Sequence, residues 1–349
     1  MQRVIRPGGR GAAENSLNAH PTTERETPPL SPARLIDAYR QMCTIREFEE
    51  RLHIEIQTGE IPGFTHLYSG QEAVAVGICE QLLPTDYISS THRGHGHCIA
   101  KGCDVRGMML EIYGRAAGLC KGKGGSMHIA DVTKGMLGAN AIVGGGPPLA
   151  VGAAIACRQR GAGAVSVAFG GDGSANQGTV FEAMNLAVVL KVPVVFAFEN
   201  NGYAEYTGAD YSVGSRDIAA RARGFGMPAE ACDGADFFAV HACAKRAIDR
   251  ARAGGGPSAI ELRVTRFHGH FEGDPQRYRA KHEVRDLRER MDCLKIFRER
   301  VTAQGWLAAA QLDAIDAEVL ALIDAAVAEA RAAPPPDEAD VDTDVYVSY

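Results

Sequence analysis

Apolar residues recur at helical spacing where the folded part of the chain begins. Serine caps free helix amides and proline fits the first helical position, so Ser31-Pro32 is typical of a helix start. The pattern predicts a helix that runs from Ser31 to about Ile56. Its apolar face contains Leu35, Ile36, Tyr39, Met42 and Cys43.

The middle of the chain alternates between strand and helix patterns. Residues 164–169 form a short apolar run that ends in glycines, which is typical of a buried parallel strand. Residues 176–190 carry apolar side chains on one helical face, and residues 194–198 form the next apolar run. The pattern predicts a βαβ unit, so Gly171-Asp172-Gly173 and Glu199-Asn200-Asn201 follow the carboxyl ends of two parallel strands.

A third strand is predicted over residues 258–264, and it ends at Thr265-Arg266-Phe267-His268-Gly269-His270. Helical patterns follow over residues 284–301 and 312–333. The fold class is therefore α/β, with a mostly parallel sheet flanked by helices on both faces. We expect a disordered extension over residues 1–30, one domain over residues 31–333 and a polar tail over residues 334–349.

The composition and charge of the chain exclude some classes of partner. The 349 residues are 46% hydrophobic and carry 37 basic and 43 acidic side chains, a net charge of -6 spread along the chain. This charge argues against nucleic acid as a partner, and no run of 18 apolar residues predicts a membrane span. Nine cysteines form no CxxC pair, so neither a zinc ribbon nor a redox motif is indicated. The N-terminus has no continuous apolar stretch of signal-peptide length, and a reducing, cytoplasmic location is expected. Arg3, Arg6 and Arg10 leave an organelle transit peptide open, although the acidic residues nearby count against it.

The strongest chemical signal in the sequence is the GDG motif followed by a later Asn-Asn pair. Asp172 offers a carboxylate oxygen, and Asn201 offers an amide oxygen at the end of the next predicted strand. Mg²⁺ prefers such oxygen ligands, with diphosphate oxygens and water completing its shell. Gly173 lets the backbone approach a phosphate, and a helix that starts near Asn176 would point its positive end at it. An ordinary tight turn is the alternative for GDG alone.

This span resembles the thiamine diphosphate signature, and the chain is similar to α subunits of 2-oxo acid and acetoin dehydrogenase complexes. The resemblance extends from about residue 31 to the end. It rests on the GDG to NN span and on five further segments in the family's order: HLYSGQEAVAVG, STHRGHGHCIAKG, GKGGSMHIAD, AIVGGGPPLAVGAAIA and FHGHFEGDP.

The resemblance implies thiamine diphosphate and Mg²⁺ as cofactors. Asp172, the Asn201 side chain and the Tyr203 main-chain oxygen are then the expected metal ligands. Gly173 and Ser174 are expected at the diphosphate.

The same resemblance implies further cofactor contacts. Arg93 is expected to reach the diphosphate, because a guanidinium fork suits phosphate. His92 is also expected there, although many relatives have tyrosine at this position. Ile142 and Val143 are expected against the aminopyrimidine ring.

His95 and His270 match the family's active-site histidines, and His270 is also expected to contact the cofactor. Histidine titrates near neutrality, so it can exchange a substrate proton or hydrogen-bond a phosphate. A zinc site built from His92, His95 and His97 is disfavoured, since these residues lack a spaced partner pair.

The resemblance further implies a β subunit, which supplies the glutamate that activates the cofactor, in a heterotetramer of two α and two β chains. The local motifs favour acetoin as the small ketone substrate, with the two-carbon product passing to a lipoyl-bearing acyltransferase. Pyruvate or a branched 2-oxo acid is the alternative substrate. A non-catalytic, partner-binding homologue is the alternative of another class.

Overall fold

A computed structural model describes residues 27–161, 163–346 and 348. The predicted disordered extension therefore lies outside the described residues up to residue 26. Leu30 is already buried in the core, so packing begins before Ser31. The helices are α1 (Pro32–Glu55), α2 (Glu72–Cys79), α3 (His95–Lys101), α4 (Val105–Ile112), α5 (Gly146–Arg160), α6 (Gly178–Leu190), α7 (Ala209–Ser212), α8 (Ile218–Arg223), α9 (Phe237–Arg252), α10 (Glu283–Met291), α11 (Cys293–Ala303) and α12 (Ala309–Ala332). The strands are β1 (Tyr87–Ser89), β2 (Ser166–Gly171), β3 (Val194–Asn200), β4 (Tyr203–Ala204), β5 (Thr207–Gly208), β6 (Ala229–Asp233) and β7 (Ser258–Arg263).

Five parallel strands form the main sheet in the order β1-β2-β3-β7-β6. The predicted βαβ unit is confirmed, because β2 and β3 pair in parallel on either side of α6 in the chain. β7 lies beside β3. The three polar segments that follow β2, β3 and β7 therefore share one edge of the sheet, as predicted. β4 and β5 form a separate antiparallel pair just beyond that edge.

Helices cover both faces of the sheet, as the apolar pattern predicted. Side chains of a strand alternate between its faces, so Val167 and Phe169 pack into one core while Ala168 packs into the other. The second core is formed with α5 and α6, and the first contains residues of α1, α2, α9 and α12. The mostly parallel, doubly covered sheet is thus confirmed.

Two predicted helix boundaries differ from the structure. The predicted helix over residues 284–301 is divided at Asp292, whose extended backbone and side chain cap α11 by accepting from the Leu294 amide at 3.1 Å. A 3-10 turn, Ser174–Asn176, and an extended Gln177 precede α6, which begins at Gly178 rather than near Asn176. The amides beside GDG therefore belong to this short turn and not to the end of a long helix.

The glycine-rich segment over residues 120–125 wraps around a buried carboxylate. Both oxygens of Glu111 accept two backbone N–H groups each, from Cys120 and Gly122 at 2.8 Å and from Gly124 and Gly125 at 2.7 and 3.0 Å. A Cβ at Gly118 would lie 2.5 Å from a Glu111 oxygen. Clustered glycine here serves an internal anion rather than a ligand.

The C-terminal tail packs against this segment. The Pro334 carbonyl accepts from the Ala116 amide at 3.1 Å, and the Asp344 carboxylate pairs with Lys121 and Lys123. Within the described ranges, no helix combines the length and apolar character that crossing a bilayer requires.

We predict that Glu111→Gln destabilises the chain. The glutamine NH₂ would face amide donors that now bond to a carboxylate oxygen, which should cost about 1–3 kcal/mol in the free energy of unfolding. Urea unfolding of the full-length chain measures this. The control is Glu329→Gln, which removes an exposed pair with Arg106 and should change little. Equal free energies for the two variants would contradict the prediction.

Candidate active site

A cavity of about 350 Å³ opens at the carboxyl edge of the sheet. The ends of β2, β3 and β7 supply its floor, and loops before α3 and α5 supply its walls. Every residue predicted to bind the cofactor or the metal lines this cavity: His92, Arg93, Ile142, Val143, Asp172, Gly173, Ser174, Asn201, Tyr203 and His270. Of the two histidines predicted to be catalytic, it includes His270 alone.

Asp172 is the focus of the cavity's electrostatics. Its side chain is 1% exposed, and its Oδ2 has no hydrogen-bond partner among the described residues. Burial raises the pKa of this carboxyl to about 6, although a backbone hydrogen bond from Asn201 acts in the opposite direction. A buried carboxylate without a partner is costly. The position therefore suits a cation.

Asn201 lies next to this carboxylate and holds its amide in a fixed orientation. Its Oδ1 accepts from the Tyr203 backbone amide at 3.1 Å, and its Nδ2 donates to Oε1 of Gln71 at 3.4 Å. A carbonyl oxygen has two lone pairs, so Oδ1 can still coordinate a metal. The two residues thus line the same cavity from the ends of neighbouring strands.

The turn after Asp172 brings backbone close to the cavity. The Ser174 hydroxyl accepts from the Gly171 amide and donates to the Gly171 carbonyl, both at 2.8 Å. A Cβ at Gly173 would lie 2.7 Å from the Cβ of Ala204, so only glycine fits without a shift. Because the Ser174 side chain closes its own turn, this turn presents mainly backbone to a ligand.

Arg93 is buried, and both of its terminal nitrogens are engaged. Nη1 donates to the Leu67 carbonyl at 2.6 Å, and Nη2 donates to the His270 carbonyl at 2.8 Å. Burial lowers the pKa of this guanidinium to about 9. Each terminal nitrogen carries a second N–H, so Arg93 keeps donors for a phosphate in addition to its positive charge.

Three imidazoles meet on one wall of the cavity. The ring centres of His66 and His92 are 4.6 Å apart, those of His66 and His270 are 5.0 Å apart, and those of His92 and His270 are 5.2 Å apart. Burial and the nearby guanidinium of Arg93 lower the pKa of His66 to about 2 and that of His270 to about 4, and the pKa of His92 is also well below its usual value. All three rings are therefore neutral at neutral pH.

His95 lies behind the cavity wall. It is fully buried, with Nδ1 hydrogen-bonded to Glu49 at 3.0 Å and Nε2 hydrogen-bonded to the Ser126 hydroxyl at 2.9 Å. These contacts connect α1, α3 and the glycine-rich segment. His95 is not among the residues that line the cavity, so its contacts support a positioning role, and its predicted catalytic role stays a prediction.

Polar cavity residues that the sequence analysis did not assign to the site include His66, Gln71, Glu199 and Arg266. His66 and Gln71 belong to the HLYSGQEA segment, and Arg266 belongs to the segment after β7, so the quoted motifs contained them. Glu199 accepts from the Tyr68 hydroxyl and contacts His97 at 3.3 Å. The sequence could not show which residues of a motif line the cavity and which support it from behind, because this depends on the direction of each side chain.

Ile142 and Val143 leave large apolar surfaces uncovered at the cavity. They are 71% and 49% exposed. Exposed apolar side chains beside a polar pocket indicate a surface that a ligand or another chain covers.

Comparison with known proteins identifies relatives along nearly the whole chain. Residues 40–339 match the dehydrogenase E1 component family. The chain is 55% identical to the alpha subunit of acetoin:2,6-dichlorophenolindophenol oxidoreductase of Cupriavidus necator over 95% of this chain and 100% of that protein. It is 50% identical to the Bacillus subtilis protein of the same description, over 93% and 97%. It is 41% identical to the pyruvate dehydrogenase E1 component subunit alpha of Rhizobium meliloti, over 89% and 90%.

We predict that Asp172→Asn stabilises the chain at pH 7.5 when no metal or cofactor is bound. The folded-state pKa is raised above the ordinary 3.8, so folding disfavours the charged form, and stability present below pH 3.8 is lost as the pH rises through about 6. A neutral side chain avoids this penalty of roughly 3 kcal/mol. Urea unfolding at pH 7.5 and at pH 4 measures the difference, which should be smaller at the lower pH.

The matched control is Asp86→Asn. Asp86 is also buried, but it accepts from the Leu83 and Val165 amides and pairs with Arg252. Its replacement should destabilise the chain by about 3–5 kcal/mol, because a paired charge loses its partner. Loss of stability in Asp172→Asn as well would show that the Asp172 charge is compensated.

Proposed function

Because this chain belongs to the dehydrogenase E1 component family, we propose that it is the α subunit of an acetoin dehydrogenase. The family uses thiamine diphosphate. In the proposed reaction, acetoin is cleaved to acetaldehyde, and the remaining two-carbon unit passes to a lipoyl-bearing acyltransferase. The cofactor supplies the nucleophilic carbon that adds to the substrate's carbonyl.

The unpartnered Oδ2 of buried Asp172 carries the proposal for the metal. We propose that Asp172, Asn201 and the main-chain oxygen of Tyr203 hold Mg²⁺. Hard oxygen donors suit this ion, which also keeps water and phosphate oxygens in its shell. The backbone of Gly173 and Ser174 would face the diphosphate, and the positive charge of Arg93 would attract it.

The neutral imidazoles supply the acid–base chemistry. Acetoin cleavage releases acetaldehyde, so the hydroxyl of that half must lose its proton as the carbon-carbon bond breaks. A neutral imidazole accepts such a proton at neutral pH, and loss of carbon dioxide from a 2-oxo acid does not need this step. We assign the proton transfer to His270, with His66 and His92 beside it.

The relatives' description as alpha subunits implies a β partner for this chain. The uncovered side chains of Ile142 and Val143 support a covering surface close to the cavity. We propose that the β subunit meets the α chain here, supplies the activating glutamate and completes a heterotetramer of two α and two β chains in the cytoplasm.

Two alternatives have weaker support. A pyruvate or branched 2-oxo acid substrate corresponds to relatives of lower identity, 41% against 55% and 50%. A non-catalytic homologue would have no need for an uncompensated carboxylate at the sheet edge, which lowers the stability of the chain without cofactor.

We predict that the co-expressed α and β subunits oxidise acetoin faster than pyruvate or 3-methyl-2-oxobutanoate. Reduction of 2,6-dichlorophenolindophenol, measured for the three substrates side by side, gives the comparison. Faster turnover of pyruvate would overturn the substrate. Calorimetry without any Mg²⁺-dependent binding of thiamine diphosphate would indicate a non-catalytic module.

We predict that His270→Ala and His95→Ala impair the enzyme for different reasons. His270→Ala should lower kcat by on the order of 10²–10⁴ with an unchanged melting temperature, because it removes a proton acceptor. His95→Ala should lower the free energy of unfolding by about 1–3 kcal/mol, since Glu49 and Ser126 lose a buried partner. A normally folded but inactive His95→Ala enzyme would restore the catalytic role for His95.

A further inference from the structure

We propose that His66, His92 and His270 form a second metal site, distinct from the Mg²⁺ site and specific for nitrogen-preferring divalent metals such as Zn²⁺. These residues line the same cavity as Asp172. They offer three imidazole nitrogens, whereas the Mg²⁺ site offers carboxylate and amide oxygens. A metal bound there would occupy the region where His92 and His270 are expected to meet the cofactor and where His270 is proposed to meet the substrate, and this consequence rests on the proposed function.

The geometry of the three rings carries the proposal. One ligand nitrogen from each ring lies within 4.8 Å of the others. A tetrahedral zinc with three imidazole bonds of about 2.1 Å needs nitrogens about 3.4 Å apart, so each ring must move by under about 1 Å. The fourth position would face the cavity, as in zinc sites with three histidine ligands and one exchangeable ligand.

His66 has spare coordinating capacity. Its side chain is more than nine-tenths buried, and its Nδ1 has no hydrogen-bond partner among the described residues. A buried ring nitrogen without a partner is uncommon, because burial removes the water that would otherwise bind it. A metal bound by the His66 ring would replace part of the interaction with water that burial removes.

The chemistry of the donors selects the metal. Neutral imidazole binds zinc, nickel and copper, whereas magnesium and calcium prefer oxygen ligands. The lowered pKa values of His66 and His270 keep both rings in the neutral form that a metal needs.

Nearby charges limit the affinity. The guanidinium groups of Arg93 and Arg266 act on His270 and oppose a dication, and Asp274, which accepts from the His270 amide at 2.7 Å, acts in the opposite direction. We therefore expect weaker binding than in a closed structural zinc site.

A second cluster, His53, His268 and Glu272, provides an internal comparison. There, Nδ1 of His53 already bonds to Glu272 at 2.8 Å, and the guanidinium of Arg288 lies 3.2 Å from Nε2 of His268. Its donors are therefore engaged with one another and with a cation. The first cluster has one contact of this kind, from the Arg266 guanidinium to Nδ1 of His270 at 3.4 Å, while Nδ1 of His66 has no partner among the described residues, so the first cluster is favoured as the metal site.

The test uses the co-purified α and β complex, freed of thiamine diphosphate and metals. Cobalt(II) is titrated and followed by visible absorption, in which four-coordinate cobalt absorbs strongly, and zinc is titrated by calorimetry. We expect one site per α chain. His92→Phe, which keeps a ring of similar size, should weaken binding by more than about 100-fold, beyond the loss seen for outer-shell partners. His53→Phe, the matched control, should change affinity by less than about twofold.

Several outcomes would overturn the metal site. They are no saturable binding, a weak six-coordinate cobalt spectrum, displacement of cobalt by excess Mg²⁺, or binding that survives His92→Phe but is lost in His53→Phe. Melting temperatures measured without metal establish that the variants fold. If His92→Phe does not fold, His66→Asn takes its place in the test.

Assays of acetoin turnover distinguish failure of the metal-site proposal from failure of the proposed function. Zinc should inhibit wild-type and His53→Phe enzymes at the concentrations that saturate the site. If zinc binds at the three histidines and turnover is unchanged, the metal site stands and the substrate position is wrong. If neither acetoin nor a 2-oxo acid is turned over but zinc still binds, only the proposed function fails.

Discussion

The constraint on which the rest of the structure depends is the compensation of buried negative charge. Removing a carboxylate from water costs several kcal/mol unless donors replace its hydration. Glu72 accepts from the Gly70 amide and pairs with Arg46, and Glu111 gathers four backbone amides. Asp172 differs, because one of its oxygens has no partner. The chain thus leaves one buried carboxylate oxygen uncompensated, which is the observation behind the proposed metal site.

The compensated carboxylates also determine where the functional loops lie. Glu261 on β7 accepts from the Ile218 and Ala219 amides at the start of α8 and from the Asn200 side chain, at 2.8, 3.1 and 2.8 Å. This contact fixes the residue that precedes Asn201 in the chain. The loops around the cavity are therefore held by contacts made outside it, and this preorganisation spares the ligand some of the cost of ordering them.

The cavity has two chemical poles. On one side, the uncompensated carboxylate of Asp172 and the amide oxygen of Asn201 suit a hard cation. On the other, neutral imidazoles of His66, His92 and His270 lie near guanidinium groups, which suit proton transfer and an anionic ligand. Under the proposed function, a phosphate-bearing cofactor held through a metal would connect these two sides of the cavity, and a neutral ketone would meet the imidazoles.

The sequence by itself determined the parallel sheet, the helices on both faces and the edge where the polar segments converge. These features follow from periodicity and from the pairing of adjacent strands, which are local properties. Only the tertiary structure decided which histidines meet. It placed His66 beside His270 and put His95 behind the wall, because such contacts depend on side-chain direction between segments far apart in the chain. It also showed that the glycines around residue 122 enclose Glu111, since a glycine cluster looks the same in sequence whether its amides face a ligand or the protein's own carboxylate.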